Sequence, residues 1–315
     1  HPGLDYFNRY GSFFLAFFSL IMILMHYLET DNTIVDILVR RICEFRGELM
    51  GPIQDYEVYA IRYATVARKA SDNFIGGDPH EEGGALDYFV WLVRGASRTF
   101  VIDTGFEARV GEHRGRKMLL PPALGLKRLG VDAAEVLDVI ITHLHYDHVG
   151  NFALFPKAMF HLQDREMQYA TGRHMTQPIF SYPYEVEEVV AMVRRVYEGR
   201  VRFHDGDALL APGLSLHRIG GHTLGIQAVR VHTRIGWIVL ASDAAHLYAN
   251  MEQVRPFPIV HDIGAMVEGY RRLHELADDP RYVVPGHDPL VMQRYAAAGP
   301  GLEGVAVRLD AEPRG

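Results

Sequence analysis

Three imidazoles and a carboxylate crowd into six residues of the stretch Thr142-His143-Leu144-His145-Tyr146-Asp147-His148-Val149-Gly150-Asn151. Histidine and aspartate are the donor types that zinc and related divalent ions take. A hydrolytic metal site needs several of them together, enough to hold the ion while leaving room for water. His143, His145, Asp147 and His148 are therefore candidate ligands, and the rest of the chain must supply the others. The stretch follows Leu137-Asp138-Val139-Ile140-Ile141, an apolar, β-branched run that reads as a buried strand. A strand of this kind delivers a functional loop from a rigid scaffold.

The totals narrow the chemistry. A formal net charge of −7 over 315 residues argues against nucleic acid as a partner, because phosphate binding needs a basic surface. The single cysteine, Cys43, excludes an intrachain disulfide and a cysteine-based zinc site. Metal binding must then use nitrogen and oxygen donors. Apolar residues at 48% and charged residues at 23% are an ordinary globular balance. The length suits one large domain or two small ones.

Gly11 to Leu28 carries no Asp, Glu, Lys or Arg over 18 residues, which is the lower limit for a membrane span. We read residues 1–49 as an N-terminal hydrophobic extension outside a catalytic domain of residues 50–315. A membrane anchor and an export signal are the alternatives. The expected location is cytoplasmic, with membrane contact only if residues 11–28 anchor the chain.

The elements that must position the donors follow from periodicity. Strands are expected at Tyr56 to Thr65, Ala85 to Arg94, Arg98 to Asp103 and Ala158 to Leu162, and later at Val201 to His204, Leu214 to Ile219, Gly225 to Val231, Trp237 to Ala241 and Tyr282 to Val284. Helices are expected at Pro121 to Leu129, Ile263 to Leu276 and Leu290 to Tyr295. The clearest is Tyr184 to Tyr197, with Val186, Val189, Val190, Val193 and Val196 on one face. Asp132 and Glu135 form a capping-box pattern before the buried strand. Two β-plus-α halves facing each other would give a sandwich with helices outside both sheets.

Four more polar groups stand directly after apolar strands: Asp103-Thr104-Gly105, Gly220-Gly221-His222-Thr223, Ser242-Asp243 and Pro285-Gly286-His287-Asp288. Together with His143-x-His145-x-Asp147-His148, the later His222, Asp243 and His287 resemble the metallo-β-lactamase superfamily in order and residue type. The resemblance spans residues 56–295. Within the superfamily, the spacing is similar to that of the metal-dependent lactonases related to quorum-quenching N-acyl-homoserine lactonases. Glyoxalase II-type thioesterases share the ligand set.

The resemblance implies an α+β fold, an αββα sandwich of two mixed β-sheets flanked by helices. It implies two Zn2+ ions per chain, one held by His143, His145 and His222 and the other by Asp147, His148 and His287. Asp243 and a hydroxide would bridge them. Two carboxylates and a hydroxide against two divalent cations leave a net positive centre, suited to the negative charge that develops on an attacked carbonyl. The implied function is hydrolysis of a lactone ring by the bridging hydroxide, with a glyoxalase II-like acyl thioesterase as the alternative. Asp147 would relay a proton. Asp103 and Thr223 would orient the ligand imidazoles.

One position departs from the family pattern. Acyl-homoserine lactonases commonly carry a Tyr three residues after the bridging Asp, where this chain has His246. Either His246 or Tyr248 is expected to assist catalysis at that point. The pocket walls are expected from Phe106 to Leu120 and from Ala170 to Tyr184, with Phe74 contributing. The expected partners are a small-molecule lactone and a second copy of the chain in a homodimer.

Overall fold

Two long strands set the layering. β1 (Glu57–Ala67) and β2 (Ala85–Arg94) pair antiparallel. Along β2, Phe89, Trp91 and Val93 face one side and Tyr88, Val90 and Leu92 the other, and all six are buried. Side chains alternate across a strand, so a strand buried on both faces needs a layer on each side. The two residue sets belong to two different apolar clusters. Each large side chain taken fully out of water contributes about 1.5–3 kcal/mol.

The computed structural model describes residues 51–314, except residues 79, 82 and 83. The apolar stretch 11–28, Cys43 and the expected boundary at residues 49–50 lie outside the described residues. Among those described, no helix is long and apolar enough to cross a membrane.

The remaining strands are β3 (Thr99–Ile102), β4 (Lys117–Met118), β5 (Asp138–Ile140), β6 (Met159–Gln163), β7 (Val201–His204), β8 (Ala208–Ala211), β9 (Leu214–Arg218), β10 (Gln227–Thr233), β11 (Gly236–Ser242), β12 (Val283–Pro285) and β13 (Ala306–Arg308). The first sheet has the order β13-β1-β2-β3-β5-β6-β7, with β4 paired to β1. The second has the order β12-β11-β10-β9-β8. Both are mixed: β3, β5, β6 and β7 run parallel, as do β11 and β12, and the other pairs are antiparallel.

Helices cover the outer faces. These are α1 (Ala108–His113), α2 (Pro122–Arg128), α3 (Asp164–Ala170), α4 (Pro178–Ser181), α5 (Val186–Tyr197), α6 (Tyr248–Glu252), α7 (Ile263–Leu276) and α8 (Val291–Arg294). Leu126 of α2 and Val189 and Met192 of α5 join the cluster on the outer side of the first sheet. Met266, Tyr270 and Leu273 of α7 pack with the second sheet. The result is the expected αββα sandwich.

Two local readings are corrected. The buried face of α5 is Glu188, Val189 and Met192, while Val186 is 72% exposed. Asp132 accepts from the Ala134 N–H at 3.0 Å, but Glu135 turns away to pair with Lys157.

The face of α5 also buries an acid. Glu188 has one carboxylate oxygen without a partner, and burial followed by repulsion from Glu185 pushes its pKa up to about 8. A carboxyl whose folded pKa exceeds its unfolded value binds more protons in the native state. Stability therefore falls as pH rises from about 4.5 to about 8. Glu188→Gln is expected to melt above the parent at pH 9 and together with it near pH 4.5. Equal melting temperatures at pH 9 would contradict the assignment.

Candidate metal centre

The donors converge because the strands that carry them end at one edge. β3 and β5 are parallel, so Asp103 and the Thr142–His148 loop leave the first sheet on the same side. In the second sheet β9 and β11 both run antiparallel to β10, and β12 runs parallel to β11. His222, Asp243 and His287 therefore also leave together.

Tight backbone passages make this possible. Asp103 and Ser242 hold left-handed conformations, with φ of 61° and 47°. Gly221 has φ of 92°, and a Cβ there would lie 2.5 Å from Met266 Cα. A Cβ on Gly286 would lie 2.7 Å from Asp243 Oδ1, so only glycine lets that loop pass the carboxylate. The same loop is tied down by Gly286 N–H donating to Ala245 O and His287 N–H donating to His246 O, both at 2.9 Å.

Asp243 sits at the centre. Its Oδ2 lies 3.4 Å from His222 Nε2 and 3.9 Å from His143 Nε2, and its Oδ1 lies 3.3 Å from His148 Nε2 and 2.9 Å from His287 Nε2. His145 Nδ1 faces His222 Nε2 at 2.9 Å. Asp147 reaches His148 Nε2 at 3.8 Å and His287 Nε2 at 3.7 Å. All seven candidate ligands are buried, and Asp147 is the most accessible at 8%.

The outward nitrogens fix the tautomers. His148 Nδ1 donates to Asp103 Oδ2 at 2.7 Å, His222 Nδ1 to Ile259 O at 2.7 Å, and His287 Nδ1 to Asp87 O at 2.9 Å. His143 Nδ1 lies 3.1 Å from Thr142 Oγ1, which itself donates to Asp103 Oδ2. With the proton held on Nδ1, each of these rings can turn its Nε2 to the centre as a donor atom for a metal.

Burial holds His143 and His145 neutral, well below the usual imidazole pKa, and lowers His222 to about 3. At His148 burial works in the same direction, but Asp243, Asp103 and Asp147 outweigh it and raise the pKa.

A divalent ion fits this donor set. His143 Nε2, His148 Nε2 and Asp243 Oδ1 are buried without a hydrogen-bond partner, and native proteins rarely leave such atoms unmatched. Two of the compact donor groups are His143-His145-His222 and Asp147-His148-His287, and Asp243 groups with His143 and His148. The chain thus brings together all seven residues expected from the sequence as candidate ligands.

The expected supporting residues divide. Asp103, fully buried, accepts from Thr142 N–H and Thr142 Oγ1 at 2.8 Å each, as well as from His148. Thr223 makes no hydrogen bond to an imidazole. Its hydroxyl donates to Glu166 Oε2 at 2.5 Å.

Around the Asp243–His246 turn the two candidates also part. His246 Nε2 lies 2.9 Å from Asp243 Oδ2, and its ring stacks on Phe257 at 3.5 Å. Tyr248 does not reach the centre: its ring lies against the Arg294 guanidinium at 3.8 Å, because α6 begins at Tyr248 and turns the side chain toward α8.

The expected walls are partly present. Tyr184 meets His145 edge-on at 4.6 Å, and Tyr88 meets His287 at 5.0 Å. Arg116 Nε donates to Tyr146 Oη at 2.9 Å. Phe106 is instead core, at 0% exposure. Sequence reasoning missed Glu166, Thr142, Ser242 and Tyr88. The signal for Thr142 and Ser242 was only their position beside candidate ligands.

The chain is similar to known proteins. Residues 83–287 match the family model described as the metallo-beta-lactamase superfamily. An N-acyl homoserine lactonase from Bacillus sp is 28% identical over 224 residues, covering 65% of this chain and 84% of the relative. Another, from Bacillus thuringiensis, is 26% identical over 165 residues, covering 52% of this chain and 60% of the relative. A crystal structure described as a quorum-quenching N-acyl homoserine lactone lactonase superposes with a TM-score of 0.63 at 22% identity, covering 76% of this chain and 93% of the other.

Proposed function

The chain belongs to the metallo-β-lactamase superfamily, and from that premise we propose that residues 50–315 form a metal-dependent lactonase, a hydrolase that opens a lactone ring of the acyl-homoserine-lactone kind. The observation that carries this reading is Asp243, a single carboxylate whose two oxygens face separate sets of imidazole nitrogens. In the proposed assignment His143, His145 and His222 would hold one zinc ion, Asp147, His148 and His287 would hold a second, and Asp243 would offer one oxygen to each. Such an all-nitrogen-and-oxygen set suits zinc. When bound, two such ions supply a nucleophile from water near neutral pH and a Lewis acid for the carbonyl oxygen. The names of the matched relatives support a lactone as substrate.

The chain's own residues handle protons and orientation. Asp147 is the candidate ligand most open to solvent. Its carboxylate accepts the proton released from the attacking water and returns it to the departing ring oxygen.

His246 is assigned as a donor. Its Nδ1 is buried and has no partner. An N–H there would be unsatisfied at a cost of about 1–3 kcal/mol, so the proton sits on Nε2 and points at Asp243 Oδ2. Stacking on Phe257 fixes the ring in that direction. With Asp243 Oδ2 engaged by a metal ion, the same N–H would be left for a substrate carbonyl. His246→Ala is expected to lower kcat by about tenfold, the worth of a hydrogen bond to a charged group. A change in kcat within about threefold would remove this role.

The substrate class is tested by measuring kcat/KM of the zinc-loaded protein on an N-acyl homoserine lactone, an unsubstituted γ-lactone, an aryl lactone and S-lactoylglutathione. The lactonase reading predicts faster turnover of a lactone than of the thioester. The reverse order makes the chain a thioesterase.

A further inference from the structure

We propose that Glu166 is a positioning residue for one half of the metal centre, the half formed by His143, His145 and His222. The proposal rests on the two-ion reading above. Glu166 lies in the first turn of α3, where an acid ordinarily faces water and complements the helix dipole. Here it is fully buried. Burying an ionised carboxylate costs several kcal/mol unless its oxygens are matched. The groups that match it are hydrogen-bond donors rather than a cation.

There are four of them. Oε1 accepts from Leu144 N–H at 2.9 Å and from Tyr184 Oη at 3.4 Å. Oε2 accepts from Thr223 Oγ1 at 2.5 Å and from Gly225 N–H at 3.2 Å. Each donor belongs to the same half of the centre. Leu144 lies between His143 and His145, and Thr223 follows His222. Tyr184 sets its ring edge-on against His145. The approach is close enough that a Cβ on Gly225 would lie 2.1 Å from Glu166 N.

The topology explains why a fastener is needed there. The His143–His145 segment follows β5 of the first sheet, and His222 follows β9 of the second. The two loops belong to different ladders, joined at their base by Gln227, whose N–H donates to Thr142 O at 3.1 Å and whose Nε2 donates to Ile141 O at 2.8 Å. Ligand geometry tolerates only about half an ångström of error. Glu166 adds the link at the ligands themselves, accepting from Leu144 N–H on one loop and from Thr223 Oγ1 on the other. The other half has its own carboxylate: Asp103 contacts His148 directly and reaches His143 only through Thr142. The centre is thus backed by two buried acids with different charges of work.

The test is zinc affinity, measured by competition with a chromophoric chelator, for the parent, Glu166→Gln, Thr223→Val and Thr223→Ser. The parent is expected to bind two zinc ions. In Glu166→Gln and in the milder Thr223→Val, one ion is expected to bind as in the parent and the other about tenfold to hundredfold more weakly, the usual effect of losing a partner behind the ligands. Thr223→Ser keeps the hydroxyl and should recover most of the loss. A residue that only stabilises the fold would lower the melting temperature and leave both affinities unchanged. That result, or an equal weakening of both ions, overturns the proposal while leaving the two-ion reading intact. A parent that binds a single zinc overturns both.

Discussion

Asp243→Asn is expected to slow lactone hydrolysis by at least about a thousandfold. The substitution keeps the side-chain volume, so a cavity cannot account for the loss. It leaves one oxygen where the parent has two, and those two face different imidazole sets: His143 and His222 on one side, His148 and His287 on the other. An amide can serve one ion through its oxygen and presents N–H groups to the other. Lewis-acid stabilisation is worth several kcal/mol, and each 1.36 kcal/mol is about tenfold in rate. Bound zinc should fall below two ions per chain in the same sample. Retention of activity within about tenfold of the parent would show that Asp243 does not join two sites.

Asp103→Asn carries the second large effect. Asn tolerates the left-handed backbone at this position, where φ is 61°. The change therefore acts through the carboxylate and not through strain. Asp103 accepts three hydrogen bonds, from Thr142 N–H, Thr142 Oγ1 and His148 Nδ1. An amide must turn its NH2 toward at least one of these donors. A buried donor left unmatched costs about 1–3 kcal/mol. Zinc affinity should fall about tenfold to hundredfold, because His148 loses the group that fixes its tautomer and raises its basicity. Chelator competition and urea unfolding measure the two effects separately. Parent-like zinc affinity would mean that His148 is oriented by something else.

How much of this could be read from the sequence depended on how local each signal was. His143, His145, Asp147 and His148 share one loop after one apolar strand, so spacing alone marked them. His222, Asp243 and His287 lie far along the chain and became ligand candidates through their order and the family resemblance. The central strands were legible because β1, β2, β10 and β11 are long and apolar. The edge strands β8 and β13 are only a few residues each, and β13 is fixed by pairing with β1 across the whole domain.

Glu166 was invisible for a physical reason. Its partners Leu144, Thr223 and Gly225 are 22, 57 and 59 residues away, and an acid in the first turn of a helix ordinarily reads as solvent-facing. Tyr248 misled because sequence proximity to Asp243 does not say which way a new helix turns its first side chain. Val186 misled similarly: its spacing fitted the apolar stripe, yet α5 buries Glu188 beside Val189.

The most direct test starts from metal-free protein and adds zinc stepwise, following bound metal and lactone hydrolysis in the same sample. The two-ion account predicts no turnover without zinc and an activity that saturates at two ions per chain. Full activity at one ion per chain, or turnover in the metal-free protein, would contradict it.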